Sequence, residues 1–585
     1  MIKTILAEVK EYKKDSLKTP IFVILEVIME VVIPLMMAAI IDNGVEKSNV
    51  KYVCIVGVAM IAVSMLSLCF GVLAGKYAAS ASTGVAKNLR KKMYENIQTF
   101  SFSKIDKYST AGLVTRLTTD ITNVQNAYQM IIRMCTRAPI MLICAMVMCI
   151  KISPRLSCVF LGAIVFLTIV LALVTMNAHP VFVKVFKKYD DLNASVQENV
   201  GAIRVVKAYV REEYEINKFK KASGNIYNLF LKAEKILIIN MPAMQFAMYT
   251  CIILISWLGA KMIVSNTLTT GELMSLFAYV MNILISLMMI SMMFVMIIMS
   301  KASAERISEI IEEKTDLKNC VNPIAEVKDG SIEFSDVSFS YKNNDIYVLD
   351  NINFKIDSGE TVGVIGGTGS AKSTLVQLIP RLYDVSKGEV KVAGVNVKEY
   401  DLEKLRDAVS MVLQKNVLFS GTINDNLRWG NKDATDEEIK RVCVLAQADE
   451  FIESFPEGYQ TYIEQGGTNV SGGQKQRLCI ARAILKKPRI LILDDSTSAV
   501  DTKTDSLIRK AFKEEIPDTT KIIIAQRISS VQDADKIIVL NEGVIEDIGT
   551  HEELVARCEI YREVYESQVK GAEKNEEEYK SYDKK

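Results

Sequence analysis

Histidine is almost missing from these 585 residues: only His179 and His551 occur, which excludes a histidine-built metal centre. Cysteine occurs eleven times, an odd number, scattered from Cys54 to Cys558 with no Cys-x-x-Cys pair. Neither a disulfide framework nor a zinc site fits that spacing. Cys69, Cys144, Cys149 and Cys251 lie instead in apolar runs, where a free thiol acts as a small hydrophobe. Net charge is also lacking. Seventy Lys and Arg against 69 Asp and Glu leave +1, so overall charge gives no case for a nucleic-acid partner.

What the chain does have is unevenly spread. Half of it is hydrophobic and 24% is charged, with a positive mean hydropathy. One compact soluble domain rarely combines these, and the length suggests three or four units. Six apolar stretches fill the first half, over 17–42, 53–74, 131–152, 156–176, 236–264 and 272–299. Each is near the ~20 residues that cross a bilayer. The links after the first, third and fifth are short. Those after the second and fourth are long, helical in pattern and basic, with Lys87, Arg90, Lys91 and Lys92, then Lys184, Lys187 and Lys188. Positive charge favours the cytoplasmic side, which places both termini and both long loops inside. Lys3, Lys10, Lys13 and Lys14 precede the first run, but it is too long for a signal peptide and no small-residue cleavage site follows.

These patterns divide the chain into an interfacial helix (1–16), a transmembrane domain (17–310), a polar linker (311–330), a second domain (331–570) and a charged, disordered tail (571–585). In the second domain, strands over 331–334, 337–341 and 361–365 alternate with helices, the mark of an α/β fold.

The strand at 361–365 runs into Gly366, Gly367, Thr368, Gly369, Ser370, Ala371, Lys372, Ser373 and Thr374. A glycine-rich turn between strand and helix offers backbone N–H groups to phosphates, aided by the helix dipole. Lys372 neutralises phosphate charge and Ser373 offers its hydroxyl to Mg²⁺. Ala371 stands where glycine is usual, and its methyl is tolerated if the backbone keeps a negative φ. Further on, the apolar run from Arg489 ends in Asp494 and Asp495, as a buried parallel strand delivering a Mg²⁺ ligand should. Before it, Ser471, Gly472, Gly473 and Gln474 lead into a helix from about Lys475, a second anion-binding end.

A phosphate loop, Ser-Gly-Gly-Gln and an aspartate-ended strand, in that order, resemble an ATP-binding-cassette (ABC) ATPase. The resemblance implies ATP and Mg²⁺ as cofactors and a helical subdomain. It assigns Tyr341 to adenine stacking, and Ser373, Gln414 and Asp494 to Mg²⁺. Asp501, in Ser498-Ala499-Val500-Asp501, falls in the loop that crosses between paired ATPases, and Glu464 in the loop that touches the partner's membrane extension. It reaches the membrane half too, where Gly201-Ala-Ile-Arg-Val-Val-Lys-Ala-Tyr is similar to the second intracellular loop of six-helix exporters. The fold class is thus an all-α six-helix transmembrane domain fused to an α/β P-loop ATPase.

Two departures from that family matter. Asp495 stands where brisk ATPases carry glutamate, pulling the carboxylate back by about 1.5 Å, one C–C bond. Gln526 replaces the histidine that contacts the γ-phosphate and cannot become a cation. With Ala371, both fall on the phosphate-holding side, while the signature Ser471–Gln474 is intact. The family pairs two ATPases, each loop facing the other chain's signature. The pattern implies a heterodimer. Its partner would be a second half-transporter with the Walker B glutamate and switch histidine, and this chain would supply the slow site.

In the membrane half, Glu26 and Glu30 lie one turn apart, as do Arg133 and Arg137. They form either an acidic patch for cationic substrates or a structural Glu–Arg network matched in number and spacing. Met281, Met288, Met292, Met296 and Met299 make a stripe on the sixth span, either an adaptable cavity wall or ordinary packing. The substrate class is a small amphipathic or hydrophobic compound, with a lipid or peptide as alternatives. The lack of an extra N-terminal domain weakens the peptide case. An ATP-gated regulatory or channel-like protein is the competing reading. The compact layout points to a bacterial plasma membrane.

Overall fold

The computed structural model describes residues 1–341, 346–495 and 500–568. The expectations for Ser498, Ala499 and the tail 571–585, and for the side chains of His179, Lys187 and Met299, lie outside the described residues. The chain forms two compact units. One holds Met1–Thr99 and Ser109–Glu313, and the other holds Phe100–Tyr108 and the residues from Lys314 onward.

Six helices among the described residues of the first unit are long and apolar enough to cross a membrane. They run Lys13–Ile40, Val50–Gln98, Ile121–Ile152, Pro154–Gly201, Asn240–Val264 and Thr270–Glu312. Short polar caps start several of them. Asn49 accepts from the Tyr52 N–H, Ser153 from Leu156, and Thr269 with Glu272 forms a reciprocal capping box. The second helix has 49 residues, about 74 Å at 1.5 Å per residue, so its basic end extends well past a ~30 Å hydrocarbon layer. Residues 1–16 are not one helix. A short helix ends at Ala7, Lys10 takes a positive φ of 37°, and Lys13 already belongs to the first spanning helix.

Pro34 cannot donate to the preceding turn. That removes the helical donor of the Glu30 carbonyl, and the same stretch is bonded from the sixth span: the hydroxyls of Tyr279 and Ser275 donate to the Val31 carbonyl at 2.7 Å and the Pro34 carbonyl at 2.6 Å. The acidic pair also finds its partner, though not two-on-two. Arg137 donates to Glu26 and, at 2.8 Å, to both oxygens of Glu30. Gly71 leaves room for this: a Cβ there would sit 3.0 Å from Glu26 Oε1. Arg133 takes no part, and its buried Nε has no hydrogen-bond partner among the described residues. The matched pairing expected from the spacing is therefore corrected to one arginine serving two carboxylates.

The second unit carries two main sheets. The antiparallel one uses β1 (Ile332–Phe339), β2 (Leu349–Ile356), β4 (Lys387–Val392) and β5 (Val395–Asn396) in the order 2-1-4-5. The strands expected over 331–334 and 337–341 are one strand, β1, with its register shifted where Asp336 adopts a φ of 49°. The six-stranded sheet contains β3 (Thr361–Ile365), β6 (Val409–Val412), β9 (Ile490–Asp494), β10 (Thr520–Ile524), β11 (Lys536–Asn541) and β12 (Val544–Gly549). Its order is 12-11-3-10-9-6, with β3 parallel to both β10 and β11. The β9 run Ile-Leu-Ile-Leu-Asp is buried along its length, as a strand covered on both faces requires. A two-stranded ribbon, β7 (Gly421–Thr422) with β8 (Tyr462–Ile463), belongs to the helical part. The linker is tied down at Ile324, whose N–H donates to the Glu399 carbonyl at 2.9 Å.

Candidate active site

The central strands β3, β9 and β10 end side by side, and the loops leaving them bring the expected residues together. Gly366 leaves β3 where a Cβ would meet the Leu540 carbonyl at 2.1 Å, so only glycine passes. Gly369 turns the loop with a φ of 86°. Ala371 then adopts φ 69° and ψ 22°, a left-handed conformation. The condition for easy tolerance of the methyl, a negative φ, is not met: the loop turns before the helix Lys372–Gln377, and the alanine is carried through a region that suits glycine.

The Lys372 ammonium lies over this loop, donating at 2.8 Å to the carbonyls of both Gly366 and Gly367. Burial lowers its pKa, against the raising effect of Asp494 and Asp495. The Ser373 hydroxyl donates to Asp494 Oδ1 at 3.0 Å, joining the ends of β3 and β9. Asp494 is 4% exposed, and burial holds its carboxyl above the ordinary range, with Asp495 adding to the rise. A hydroxyl and a buried carboxylate this close form a hard-oxygen pair that suits Mg²⁺ and that a divalent charge would relieve.

Asp495 follows at φ 49°. Its Oδ2 accepts from Gln526 Nε2 at 2.8 Å, and Gln414 Nε2 stands 3.5 Å from the same atom. Gln414 thus faces Asp495 rather than the Ser373–Asp494 pair. Tyr341 packs beside the loop's helix, its hydroxyl 2.9 Å from Thr374 Oγ1 and the residue 47% exposed.

The signature lies apart from this cluster. Its helix starts at Gly472, three residues before the expected Lys475. Ser471 caps it: the hydroxyl accepts from the Gln474 N–H at 3.3 Å, and Gln474 accepts from the Ser471 N–H at 2.8 Å. Asp501 caps the helix Thr502–Glu515 by accepting from the Thr504 N–H, and backbone bonds lower its pKa. Glu464 accepts from the Thr468 hydroxyl at 2.6 Å.

One participant escaped the sequence reading. Tyr383 forms ring pairs with Tyr341 (5.2 Å) and Phe102 (6.1 Å), and donates to Asp106 at 2.6 Å. It joins the aromatic beside the phosphate loop to the segment Phe100–Tyr108. Its partners are 42, 277 and 281 residues away along the chain, and no local pattern marks them.

The model of the ABC transporter transmembrane region matches residues 17–288, and that of the ABC transporter ATPase matches residues 349–498. The uncharacterized ABC transporter ATP-binding protein YfiB of Bacillus subtilis is 37% identical over 94% of this chain and 95% of its own length. A Staphylococcus aureus protein provisionally named a multidrug export ATP-binding/permease protein is 32% identical over 97% of this chain and 100% of its own. The structure of a bacterial Atm1-family ABC exporter with ATP bound superposes with a TM-score of 0.83. It is 22% identical and is covered over 99% of its length and 95% of this chain.

Proposed function

This chain belongs to the ABC transporter family as an exporter, a multi-pass membrane protein with a cytoplasmic ATPase domain, and from that premise we propose that it is the slow-site half of a heterodimer. Its own phosphate loop binds ATP and turns it over slowly, while Ser471–Gln474 completes the fast site on the partner's loop. The observation that carries this reading is the bond from Gln526 Nε2 to Asp495 Oδ2. The two departures from the family meet each other. The carboxylate, one methylene short, is held by a neutral amide, so the pair moves a proton and meets growing negative charge less well than a glutamate and a histidine would.

Tyr341 stacks on adenine, and the N–H groups of 366–374 with Lys372 hold the phosphates. Ser373 and Asp494 would hold Mg²⁺, with Gln414 facing the adjoining Asp495, and Mg²⁺ bound there would neutralise phosphate charge. Asp501 and Glu464 lie on the face that meets the partner. A misplacement of about 1 Å at such a site can cost on the order of a hundredfold in rate. That is enough to separate a slow site from a fast one.

The cargo is a small amphipathic or hydrophobic compound. A cavity of about 60 Å³ is lined by Leu167, Leu171, Met244, Leu287, Met288 and Met292, an adaptable apolar wall. Asn240 also lines it, and its buried Oδ1 lacks a hydrogen-bond partner among the described residues. An apolar body with one hydrogen-bond donor suits that surface.

The test is ATPase activity of the chain alone against the chain co-expressed with the half-transporter encoded beside it, then uptake into inverted vesicles. Slow turnover alone, fast turnover in the pair and ATP-dependent uptake against a gradient support the proposal. Brisk turnover by the chain alone defeats the slow-site reading. Flux only down a gradient favours an ATP-gated channel.

A further inference from the structure

The segment that carries Gln526 is held from outside its own sheet. Arg527 is extended, with φ −98° and ψ 129°. The carbonyl of Gln526 and the N–H of Ile528 therefore point to the same side, as on the edge of a strand. Gln568 answers both. Its Nε2 donates to the Gln526 carbonyl at 2.9 Å, and its Oε1 accepts from the Ile528 N–H at 2.9 Å. A neutral primary amide offers one donor side and one acceptor side, so among side chains only Gln and Asn can stand in for the peptide of a neighbouring strand.

Gln568 reaches this position from the helix over residues 559–568. That helix is anchored seven residues earlier by Tyr561, which is fully buried and bonded to His551 Nδ1 at 2.8 Å. Val564 and Tyr565 pack against the same core cluster that holds Ile528. The amide is thus presented from a fixed base. On the far side of the segment, the Gln526 side chain contacts Asp495.

We infer that Gln568 is a positioning residue for the switch loop: its amide pins the main chain on both sides of Arg527 and so sets Gln526 against Asp495. The C-terminal helix becomes a control point for ATP turnover, because withdrawing it removes both bonds while leaving Tyr341, Lys372 and Ser373 untouched. This rests on Asp495 and Gln526 lying at the hydrolytic end of the site. It does not depend on whether that site is slow.

The experiment uses the purified full-length chain in lipid, with Gln568→Leu, Gln526→Ala and the double variant. Hydrogen exchange of the 523–531 peptide should quicken at least about tenfold in Gln568→Leu, while the 361–375 peptide stays unchanged. For ATP hydrolysis, kcat should fall about three- to tenfold with KM within about twofold, since the nucleotide contacts are intact. In the Gln526→Ala background the same change should have no further effect on kcat. An unchanged exchange rate in Gln568→Leu overturns the clasp. A full additive loss of kcat in the double variant overturns its action through Gln526 and leaves only a structural bond. Brisk turnover by the wild-type chain would sink the slow-site proposal and leave all three readouts interpretable.

Discussion

The chain has two glycine-marked helix starts suited to anions, the phosphate loop at 366–374 and the signature at 471–474, and it treats them in opposite ways. The signature is locally satisfied. Ser471 and Gln474 answer each other's N–H groups at ordinary backbone angles, and a 14-residue helix follows. The phosphate loop is held by force from elsewhere. An alanine sits in the left-handed region, Gly366 is wedged against the Leu540 carbonyl, and Lys372 spans two loop carbonyls. The departures from family pattern also fall on this side, at Ala371 in the loop and at Asp495 and Gln526 after the adjoining strands β9 and β10. On the proposed slow-site reading, one chain keeps intact the part it lends to a partner and relaxes the part it uses itself.

The largest effect that could break this contrast comes from damaging each end in turn. In the pair proposed above, Ser471→Arg would fill the anion-binding end assigned to the partner's ATP and should lower phosphate release at least about a hundredfold, the scale of losing a key donor to developing charge. Lys372→Ala in the same pair should cost less than about tenfold if the chain's own site is the slow one. The reverse ranking would mean that the altered loop is the working one. A smaller effect sharpens the same contrast. Asp495→Glu combined with Gln526→His should raise phosphate release by the chain alone about ten- to a hundredfold, the converse of the penalty for a carboxylate misplaced by ~1 Å. Unchanged turnover would place the limiting lesion elsewhere, with Ala371 the next suspect.

The family, the six spans and the cluster around Asp494 were legible because they rest on local signals: apolar runs of bilayer length, and motifs whose residues are neighbours in sequence. Misreadings came where distant contacts decide. The spacing of Glu26, Glu30, Arg133 and Arg137 suggested two pairs, yet packing at Gly71 brings one arginine to both carboxylates across 107 and 111 residues. The sign of φ at residue 371 depends on how β3 must turn into its helix, which composition does not encode. Tyr383 and Gln568 escaped for the same reason. Each acts through a partner in another segment, and neither belongs to a motif.

The smallest effect is the most specific to the loop itself. Holding an alanine in the left-handed region costs about 1–2 kcal/mol. Replacing it with glycine also surrenders up to about 1 kcal/mol of unfolded-state entropy. The Ala371 methyl packs against the core cluster beneath the loop, and losing a buried methyl costs up to about 0.8 kcal/mol. These terms nearly cancel, so Ala371→Gly should move the melting temperature by no more than about 3 °C. Nucleotide affinity is the more telling readout. If the strained alanine leaves the phosphate-holding conformation only partly populated in the free chain, glycine raises that population, and ATP should bind up to about fivefold tighter. The signature helix should be unaffected, so the partner's site should keep its turnover. Unchanged affinity would mean that the loop already holds its shape fully with alanine, and the contrast between the two helix starts would then reduce to Asp495 and Gln526.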